Sequence, residues 1–309
     1  MNGSGDRWAL VLAAGDGTRL RSLTATGDGG HVPKQFCSFC SDRSLLAQTI
    51  GRAERLVSRE RVVVVVAARH RELWEPELAD LPAENVVVQP QNLGTGNGVL
   101  LGAMAIAQRD TAATLLILPS DHAFENERRL RIALRRAQLE TIRHPRDLVL
   151  LGIEPDEPDT EYGWIVPARA GEGLTSGVAG FVEKPDALRA ARLMAEGAVW
   201  SSFIMAARLA ALLALYQRGR PEILRAFGEA FGAAGPALGP SVDRLYEDLP
   251  HCDFSRDLLQ RGIGSLRLMR VPELGWSDLG TPERLLRLLR QRRLRRAAAL
   301  HPALAAGRA

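Results

Sequence analysis

The sequence predicts an α/β fold, in which a mostly parallel mixed sheet carries helices on both faces. Short apolar, β-branched runs alternate with segments of helical periodicity along most of the chain. Over the first 150 residues the order is strand, loop, helix, strand, helix, strand, which is typical of parallel pairing. Loops rich in Gly, Asp and Thr follow the strands, where open sheets of this kind bind ligands. No repeat and no hexapeptide periodicity is present, so we expect no β-helix domain.

The elements are predicted in chain order from these patterns. The predicted strands are apolar runs bounded by polar, Gly or Pro positions: Trp8–Ala14, Val62–Ala68, Asn85–Gln89, Thr114–Pro119, Leu148–Ile153, Gly163–Pro167, Val178–Val182, Trp200–Ala206 and Ser265–Val271. The predicted helices have apolar residues three and four apart: Leu45–Val57, Gly98–Gln108, Arg128–Ile142, Ala187–Glu196, Leu209–Tyr216, Pro221–Phe231 and Asp257–Gln260. Gly232–Pro240 is rich in Gly and Pro and is predicted as a loop, too short to separate independent domains.

Composition limits the class of protein. The 309 residues are 46% apolar and 25% charged, which excludes a disordered chain and supports a sizeable core. No apolar run approaches the roughly 20 residues of a membrane-spanning helix. The segment Met1–Asp6 is short and polar, without the pattern of a signal peptide. Three cysteines do not form a disulfide framework, so we expect a reducing cytoplasm.

The positive charge is concentrated at one end of the chain. After residue 282, eight arginines stand against one acid and give +7, which leaves −3 for the first 282 residues out of the total of +4. The arginines alternate with leucines, so we expect an amphipathic helix or tail with a solvated basic face over 283–309. Binding of this segment to a partner, a membrane or a polyanion is the alternative. Because the body is acidic, we expect no nucleic acid as partner.

Lysine is scarce in this arginine-rich chain. Of 40 basic residues only Lys34 and Lys184 are lysines, and both adjoin a proline near the end of a predicted strand. Such a lysine indicates a position that needs a compact ammonium group rather than a planar guanidinium. Chance is the alternative.

One glycine turn and two aspartates suggest phosphate and metal binding. Gly15 and Gly17, with Arg19 close behind, form a turn whose N–H groups suit an anion, although a plain βα turn is the alternative. Asp121 and Asp278 each follow a predicted strand, and two carboxylates at one sheet edge suit Mg²⁺. Either aspartate could instead cap a helix.

An ordered set of motifs resembles the nucleoside-diphosphate-sugar pyrophosphorylases. The chain has Leu-Ala-Ala-Gly-Asp-Gly-Thr-Arg-Leu at 12–20, and Pro-Lys-Gln-Phe at 33–36 looks like the mannose-1-phosphate guanylyltransferase branch. The resemblance continues in the family's order through 89–95, 118–122, 152–155, 162–165, 181–185, 200–203 and 275–280, so it spans residues 8 to 282. It implies a Rossmann-like catalytic domain over 1–282, with the basic helix or tail after it. Because the chain ends soon after this region, we expect no appended isomerase or β-helix domain.

The resemblance also implies a role for each matching residue. Nucleotide binding is implied for Leu12, Ala13, Ala14, Gly15, Gly17, Thr18, Gln89, Gly94 and Thr95. Arg19 would hold the leaving pyrophosphate, Lys34 would bridge the reacting phosphates, and Asp121 and Asp278 would hold Mg²⁺. Contact with the sugar phosphate is implied for Gly163, Glu183, Lys184 and Ser201.

The chain departs from the family pattern at a few positions. Ser201 follows Trp200 where the family usually has Asn, and Ala14 stands where the guanylyltransferase branch often has Gly. The segment between Arg19 and Lys34 is longer than expected. These departures bear most on the identity of the sugar.

The resemblance thus implies Mg²⁺-dependent transfer of a nucleoside monophosphate from a nucleoside triphosphate to a sugar 1-phosphate. The preferred substrates are GTP and mannose 1-phosphate, which would give GDP-mannose and pyrophosphate. The same reaction with UTP or dTTP and glucose 1-phosphate is one alternative. A non-catalytic regulatory protein that binds a nucleotide sugar is another. The sequence leaves a homo-oligomer open.

Overall fold

A single mixed sheet forms the centre of the molecule. The computed structural model describes residues 6–17, 20–21, 23–26, 30–39, 41–168, 174–233 and 238–290. Over these residues the strands are β1 (Arg7–Ala13), β2 (Val62–Ala67), β3 (Val86–Gln89), β4 (Thr114–Pro119), β5 (Leu148–Ile153), β6 (Gly163–Pro167), β7 (Ser176–Glu183), β8 (Val199–Arg208) and β9 (Leu266–Arg270). Each corresponds to one predicted strand, with ends that differ by at most two residues.

The strand order is β3-β2-β1-β4-β8-β5-β9-β7-β6, with a further contact between β8 and β6. Strands β3, β2, β1 and β4 are mutually parallel, as the strand-helix alternation predicts. Strand β8 runs antiparallel to both β4 and β5, and β9 is parallel to β5. The mixed sheet is confirmed, and its parallel pairs lie mainly in the first half of the chain. The carboxyl ends of β1 to β4 therefore meet at one edge.

Helices cover both faces of this sheet. They are α1 (Leu45–Glu54), α2 (Arg71–Glu77), α3 (Thr95–Ala107), α4 (Glu127–Arg143), α5 (Ala187–Ala195), α6 (Leu209–Gly219), α7 (Pro221–Ala233) and α8 (Leu238–Asp248), with a π-helical segment at Phe254–Leu259. A further helix covers 282–290 and is called the C-terminal helix below.

Two of these helices were not predicted. Helix α2 has one buried side chain, that of Trp74, so its apolar periodicity is weak. Helix α8 begins inside the predicted loop Gly232–Pro240, and α7 extends to Ala233, so that loop prediction was wrong at both ends. Pro240 is accommodated because it lies in the first turn of α8, where a missing N–H breaks no helical hydrogen bond.

The core has two layers, one on each face of the sheet. Leu10 of β1 and Val63 of β2 point into the layer that contains α3, α6 and α7. Their neighbours Val11 and Val64 point into the layer that contains α1 and α4. Alternate residues of a strand face opposite sides, so β1 and β2 are apolar throughout because both faces are covered. In the described part of the chain, no helix has the length and apolarity needed to cross a membrane.

The C-terminal helix packs against the body. Leu285 and Leu288 are buried in a small cluster with Leu20, Leu45 and Leu279. The predicted boundary at residue 282 therefore falls within a packed region, and the first part of the predicted tail belongs to it. Residues 291–309 of that tail lie outside the described residues.

Candidate active site

Three adjoining cavities open along the carboxyl ends of the parallel strands. Their volumes are about 310, 280 and 240 Å³, and they are called the first, second and third cavity below. Lys34 and Asp121 line both the first and the second cavity. Asp278 and His122 line both the first and the third. The cavities are therefore compartments of one cleft, with the two aspartates at the junctions.

Most of the predicted nucleotide-binding residues lie in the first cavity. The lining residues predicted from the sequence are Leu12, Ala14, Gly15, Gln89, Gly94 and Thr95. Gly17 lines the second cavity, together with Gly15. Ala13 lines neither and is buried in the core behind them. Thr18 and Arg19 lie outside the described residues.

The glycine turn after β1 is held by Gln35, which had no predicted role. Its amide nitrogen donates to the carbonyl oxygens of Ala13, at 3.1 Å, and Gly15, at 2.7 Å. Gly17 has a φ of +61°, and a Cβ there would lie 2.8 Å from the backbone nitrogen of Lys34. Only glycine fits this close approach. The turn and the Pro-Lys-Gln-Phe motif thus form one packed unit, and the adjacency of Gln35 to Lys34 was the available signal.

A second loop, at the start of α3, closes the first cavity. Gly94 has a φ of +96°, and a Cβ on it would overlap the carbonyl group of Cys252. Backbone hydrogen bonds join the two segments: Gly96 N–H donates to Cys252 O at 2.8 Å, and Cys252 N–H donates to Leu93 O at 2.9 Å. The segment around Cys252 therefore sets the position of this loop.

Lys34 lies at the centre of the cleft. It begins a short 3₁₀ turn after Pro33, and only 7% of the residue is exposed. Its Nζ lies 3.0 Å from Oδ2 of Asp121 and donates to the backbone carbonyl of Asp278 at 2.6 Å. One of the two lysines in the chain is thus buried between the two aspartates that were predicted to share a metal ion.

The loops that carry the two aspartates are bonded to each other. Ala123 N–H donates to Ser277 O at 2.9 Å, and Ser277 N–H donates to Ala123 O at 3.0 Å. Burial by itself would raise the pKa values of Asp121 and Asp278, but the Lys34 ammonium and other nearby cationic groups hold both below their ordinary value. Both side chains are therefore carboxylates at neutral pH, side by side at one edge of the sheet.

Oδ1 of Asp278 accepts three hydrogen bonds. The donors are the Tyr162 hydroxyl at 2.9 Å, the Gly280 N–H at 2.8 Å and Nη1 of Arg284 at 2.9 Å. The other arm of Arg284 pairs with Asp159. The sequence placed this arginine on a solvated basic face, and that expectation was wrong, because its side chain is only 10% exposed.

His122 has a neutral ring held in one tautomer. Trp276 Nε1 donates to its Nδ1 at 3.2 Å, so the ring proton is on Nε2, which lies 3.5 Å from Oδ1 of Asp121. Burial lowers the pKa of His122, although the two neighbouring aspartates oppose that shift. The ring therefore lies against the Asp121 carboxylate as an uncharged neighbour.

The predicted sugar-phosphate residues all line the third cavity: Gly163, Glu183, Lys184 and Ser201. A Cβ on Gly163 would lie 2.7 Å from Oε2 of Glu183, so the glycine leaves room for that carboxylate. Burial, with the Asp253 carboxylate as a further cause, raises the pKa of Glu183. Lys184 has a φ of +47°, and its side chain is exposed. Asp253 also lines this cavity.

The carboxylates fit a metal ion that takes few ligands from the protein. Among the described residues, no three His, Cys, Asp or Glu side chains are grouped as a metal site. Two carboxylates remain, and about a third of the Asp121 side chain is exposed to the cleft. Mg²⁺ is commonly held by one or two carboxylates together with waters and substrate phosphates. The donor set is suited to that arrangement.

Comparisons with known proteins agree with this architecture. A family model described as "Nucleotidyl transferase" matches residues 8–293. The mannose-1-phosphate guanylyltransferase ManC of Salmonella typhimurium is 30% identical over 287 residues, which is 89% of this chain and 58% of that protein. RfbM of the same strain, also a mannose-1-phosphate guanylyltransferase, is 33% identical over 88% of this chain and 56% of its own length. The chain therefore spans a little over half the length of these relatives.

Solved structures share the fold. The crystal structure of a mannose-1-phosphate geranyltransferase from Thermus thermophilus has a TM-score of 0.78 at 28% identity, over 89% of this chain and 76% of that one. A UDP-glucose pyrophosphorylase complexed with UDP-glucose has a TM-score of 0.59 at 16% identity, over 94% and 99%, and it supports the fold alone. Because the family model matches nearly the whole described chain, the chain belongs to the nucleotidyl transferase family.

Proposed function

We propose that this chain catalyses the Mg²⁺-dependent reaction of GTP with mannose 1-phosphate to give GDP-mannose and pyrophosphate. The observation that carries the proposal is the position of Lys34 at the junction of the first and second cavities, in contact with Asp121 and with the backbone carbonyl of Asp278, a residue that also lines the third cavity. Members of the family typically use a divalent metal ion, which supports the assignment of the two carboxylates. The relatives' names supply the preference for guanine and mannose.

Gln89 offers a donor and an acceptor to a base in the first cavity. Its Nε2 donates to Gln91 O at 2.7 Å, which leaves one N–H and the amide oxygen for a ligand. A donor beside an acceptor complements the N–H and C=O edge of guanine, uracil or thymine, and equally the amino and ring-nitrogen edge of adenine or cytosine. The side chain is therefore suited to a base without choosing among them, and the names of the relatives favour GTP.

The third cavity supports a sugar 1-phosphate as the acceptor. Glu183 can accept hydrogen bonds from sugar hydroxyls, and Gly163 keeps the space beside it open. Lys184 stands at the rim with an exposed ammonium that suits the phosphate. Ser201 replaces the longer Asn of the family pattern and leaves more room on this side. These residues are proposed as the sugar-phosphate site.

The proposed chemistry needs alignment and positive charge rather than a general base. An anionic oxygen of the sugar phosphate forms a bond to the α-phosphorus, and the bond from that phosphorus to the pyrophosphate oxygen breaks. No proton has to move. Lys34, which lies where the first and second cavities meet, is proposed to neutralise charge on the reacting phosphates. A bound Mg²⁺, held by Asp121 and Asp278, would supply further positive charge on the reacting phosphates. Arg19 is proposed for the leaving pyrophosphate on the resemblance alone.

The test is pyrophosphate release measured over a grid of nucleoside triphosphates and hexose 1-phosphates with Mg²⁺. We expect the highest kcat/KM for GTP with mannose 1-phosphate, and no release when Mg²⁺ is chelated. A higher kcat/KM for UTP or dTTP with glucose 1-phosphate would replace the proposed substrates while retaining the reaction. If no substrate pair gave pyrophosphate, the result would support a regulatory protein that binds nucleotide sugars.

Compartment and partners follow from the same proposal. Cys37 and Cys252 are free thiols, which suits a reducing compartment, and we propose the cytoplasm. Burial raises the pKa of Cys37 to about 11 and that of Cys252 to about 12, so neither is a reactive thiolate at neutral pH. The proposed partners are the two small-molecule substrates.

A further inference from the structure

We propose that Arg284 is a positioning residue, which fixes the Asp278 carboxylate so that Oδ2 is the oxygen offered to the divalent metal ion. The inference rests on the proposed function in one respect, namely that Asp278 is a metal ligand. It adds a residue of the C-terminal helix, outside the motifs that resemble the family, to the metal-binding end of the cleft. The helix would thereby control how strongly the site binds its metal.

The two oxygens of the Asp278 carboxylate have different surroundings. Three donors, from Tyr162, Gly280 and Arg284, converge on Oδ1 at 2.8 to 2.9 Å. An ionised carboxylate has about four acceptor positions on its two oxygens, so Oδ1 is fully used. No hydrogen bond from the described residues reaches Oδ2. The network therefore leaves a single, defined oxygen for a metal ion.

Arg284 is itself held on several sides. One arm donates to Asp278 and the other pairs with Asp159. The guanidinium carbon lies 4.1 Å from the centre of the Tyr162 ring, and this tyrosine also donates to Asp278. Arginine can bond two carboxylates at once through its planar fork, whereas one ammonium is a point charge. Lysine at this position would keep the charge but lose the fixed geometry.

The backbone that carries Arg284 is anchored beside the segment that carries Asp278. The C-terminal helix is anchored by Leu285 and Leu288, which pack against Leu279, next in sequence to Asp278. Leu279 has a φ of +49°, an uncommon conformation for a branched residue, which turns the chain directly after the aspartate. Apolar packing and the arginine therefore act on the same short segment. A rigid support of this kind keeps a ligand oriented before the metal ion arrives.

Charge and position predict opposite effects, which makes the inference testable. If Arg284 acted only as a positive charge near the site, its removal would strengthen the binding of a cation. If Arg284 positions Asp278, its loss weakens metal binding, because the carboxylate is free to rotate away. Arg284→Lys separates the two, since it preserves the charge and removes the fork. Arg287→Lys is the matched control, because Arg287 lies on the same helix, is half exposed and pairs with Glu157.

The experiment measures Mn²⁺ binding to the full chain by electron paramagnetic resonance, without substrates. The second readout is the Mg²⁺ concentration that gives half-maximal pyrophosphate release. We expect Arg284→Lys to raise both the Mn²⁺ dissociation constant and the half-maximal Mg²⁺ concentration by about tenfold. This is the lower end of effects for residues that support a metal ligand. At saturating Mg²⁺ its kcat should recover to near that of the wild type. We expect Arg287→Lys to stay within about twofold, as exposed ion pairs contribute little.

Thermal melting of each variant distinguishes a purely structural role of Arg284 from a role in positioning Asp278. A lower melting temperature of Arg284→Lys with unchanged Mn²⁺ and Mg²⁺ constants would overturn the inference, as would tighter metal binding. If the wild type released no pyrophosphate with any substrate pair, the proposed function would fail. Weaker Mn²⁺ binding by Arg284→Lys would then still support the positioning role. The two failures are therefore distinguishable.

Discussion

The ammonium nitrogen of Lys34 lies 3.0 Å from Oδ2 of Asp121, although the two residues are 87 positions apart in the chain. The same nitrogen donates to the carbonyl of Asp278, from a third distant segment. The site therefore depends on one compact cation that contacts both aspartate loops at once. This relationship explains why a lysine is present in a chain that otherwise uses arginine almost throughout.

We expect Lys34→Arg to lower kcat by about 10²-fold, because a larger, planar cation displaces the reacting groups from alignment. The buried position leaves little room for the guanidinium. The measurement is steady-state kinetics of pyrophosphate release. Arg225→Lys, an exposed exchange on α7 at 75% side-chain exposure, is the control and should match the wild type. Normal turnover of Lys34→Arg would remove the lysine from the reaction.

We expect Asp121→Asn and Asp278→Asn to fold and to lose roughly 10²-fold or more in turnover, the scale of losing one key charge-stabilising group. Each change keeps the shape of the side chain and removes the negative charge that would hold the metal ion. Turnover at limiting and saturating Mg²⁺ and thermal melting are the measurements. Near-normal turnover of both variants at limiting Mg²⁺ would exclude them as ligands.

We expect Lys184→Arg to raise the KM for the sugar phosphate with a smaller effect on kcat, since this exposed residue contacts the substrate before reaction. The contrast with Lys34→Arg is the informative part, because one lysine is buried between the aspartates and the other is at the rim of the third cavity. Kinetics with varied sugar phosphate at saturating nucleotide test it. An unchanged KM would argue that the scarcity of lysine is accidental at this position.

We expect Gly94→Ala to destabilise the protein and to raise the KM for the nucleotide, because a Cβ at φ +96° would overlap the Cys252 carbonyl. Gly228→Ala is the matched control. It lies exposed in α7 with no atom within 4 Å of an added Cβ, so we expect a gain of about 0.5–1 kcal/mol in the free energy of unfolding. Denaturant unfolding measures the free energy of unfolding of both variants. Changes of the same sign in the two variants would contradict the close packing of the loop around Gly94.

We expect Glu183→Gln to be more stable than the wild type at neutral pH. Burial first, and Asp253 second, raise the pKa of Glu183 above its ordinary value of 4.5. The folded state then binds this proton more tightly than the unfolded state, so stability is lost as pH rises from 4.5 through the folded pKa. Melting temperatures of variant and wild type should coincide at low pH and separate over that interval. If the wild type were the more stable protein at pH 7, other groups would offset the cost of burying the Glu183 carboxylate.

The strands were predictable because their causes are local. β-Branched runs such as the one in β2 are buried on both faces, and each was recognised from composition alone. The short helix α2 was not, since one buried tryptophan gives no periodicity. The carboxylates Asp121 and Asp278 were predicted as site residues because each follows a strand whose carboxyl end lies at the ligand edge of the sheet, and because each belongs to a motif that resembles the family.

The support around these carboxylates was not predictable. Arg284 reaches Asp278 only because the C-terminal helix folds back on the body, and in the sequence it is one of a run of similar arginines. Tyr162 donates to Asp278 across 116 residues, a contact that no local pattern signals. Gln35 likewise binds the glycine turn through two carbonyl groups that carry no side-chain signature. Such contacts depend on tertiary packing, which local spacing does not encode.

The most direct test of the proposed reaction is phosphorus NMR of one mixture of the protein, GTP, mannose 1-phosphate and Mg²⁺. The mannose 1-phosphate signal should disappear while two coupled signals of a sugar nucleotide and one signal of pyrophosphate grow in equal molar amounts. Asp278→Asn in the same mixture should leave the starting signals in place over the same time. If GTP were instead converted to GMP or GDP while mannose 1-phosphate remained, the phosphoryl acceptor would be water, and transfer to a sugar phosphate would be contradicted.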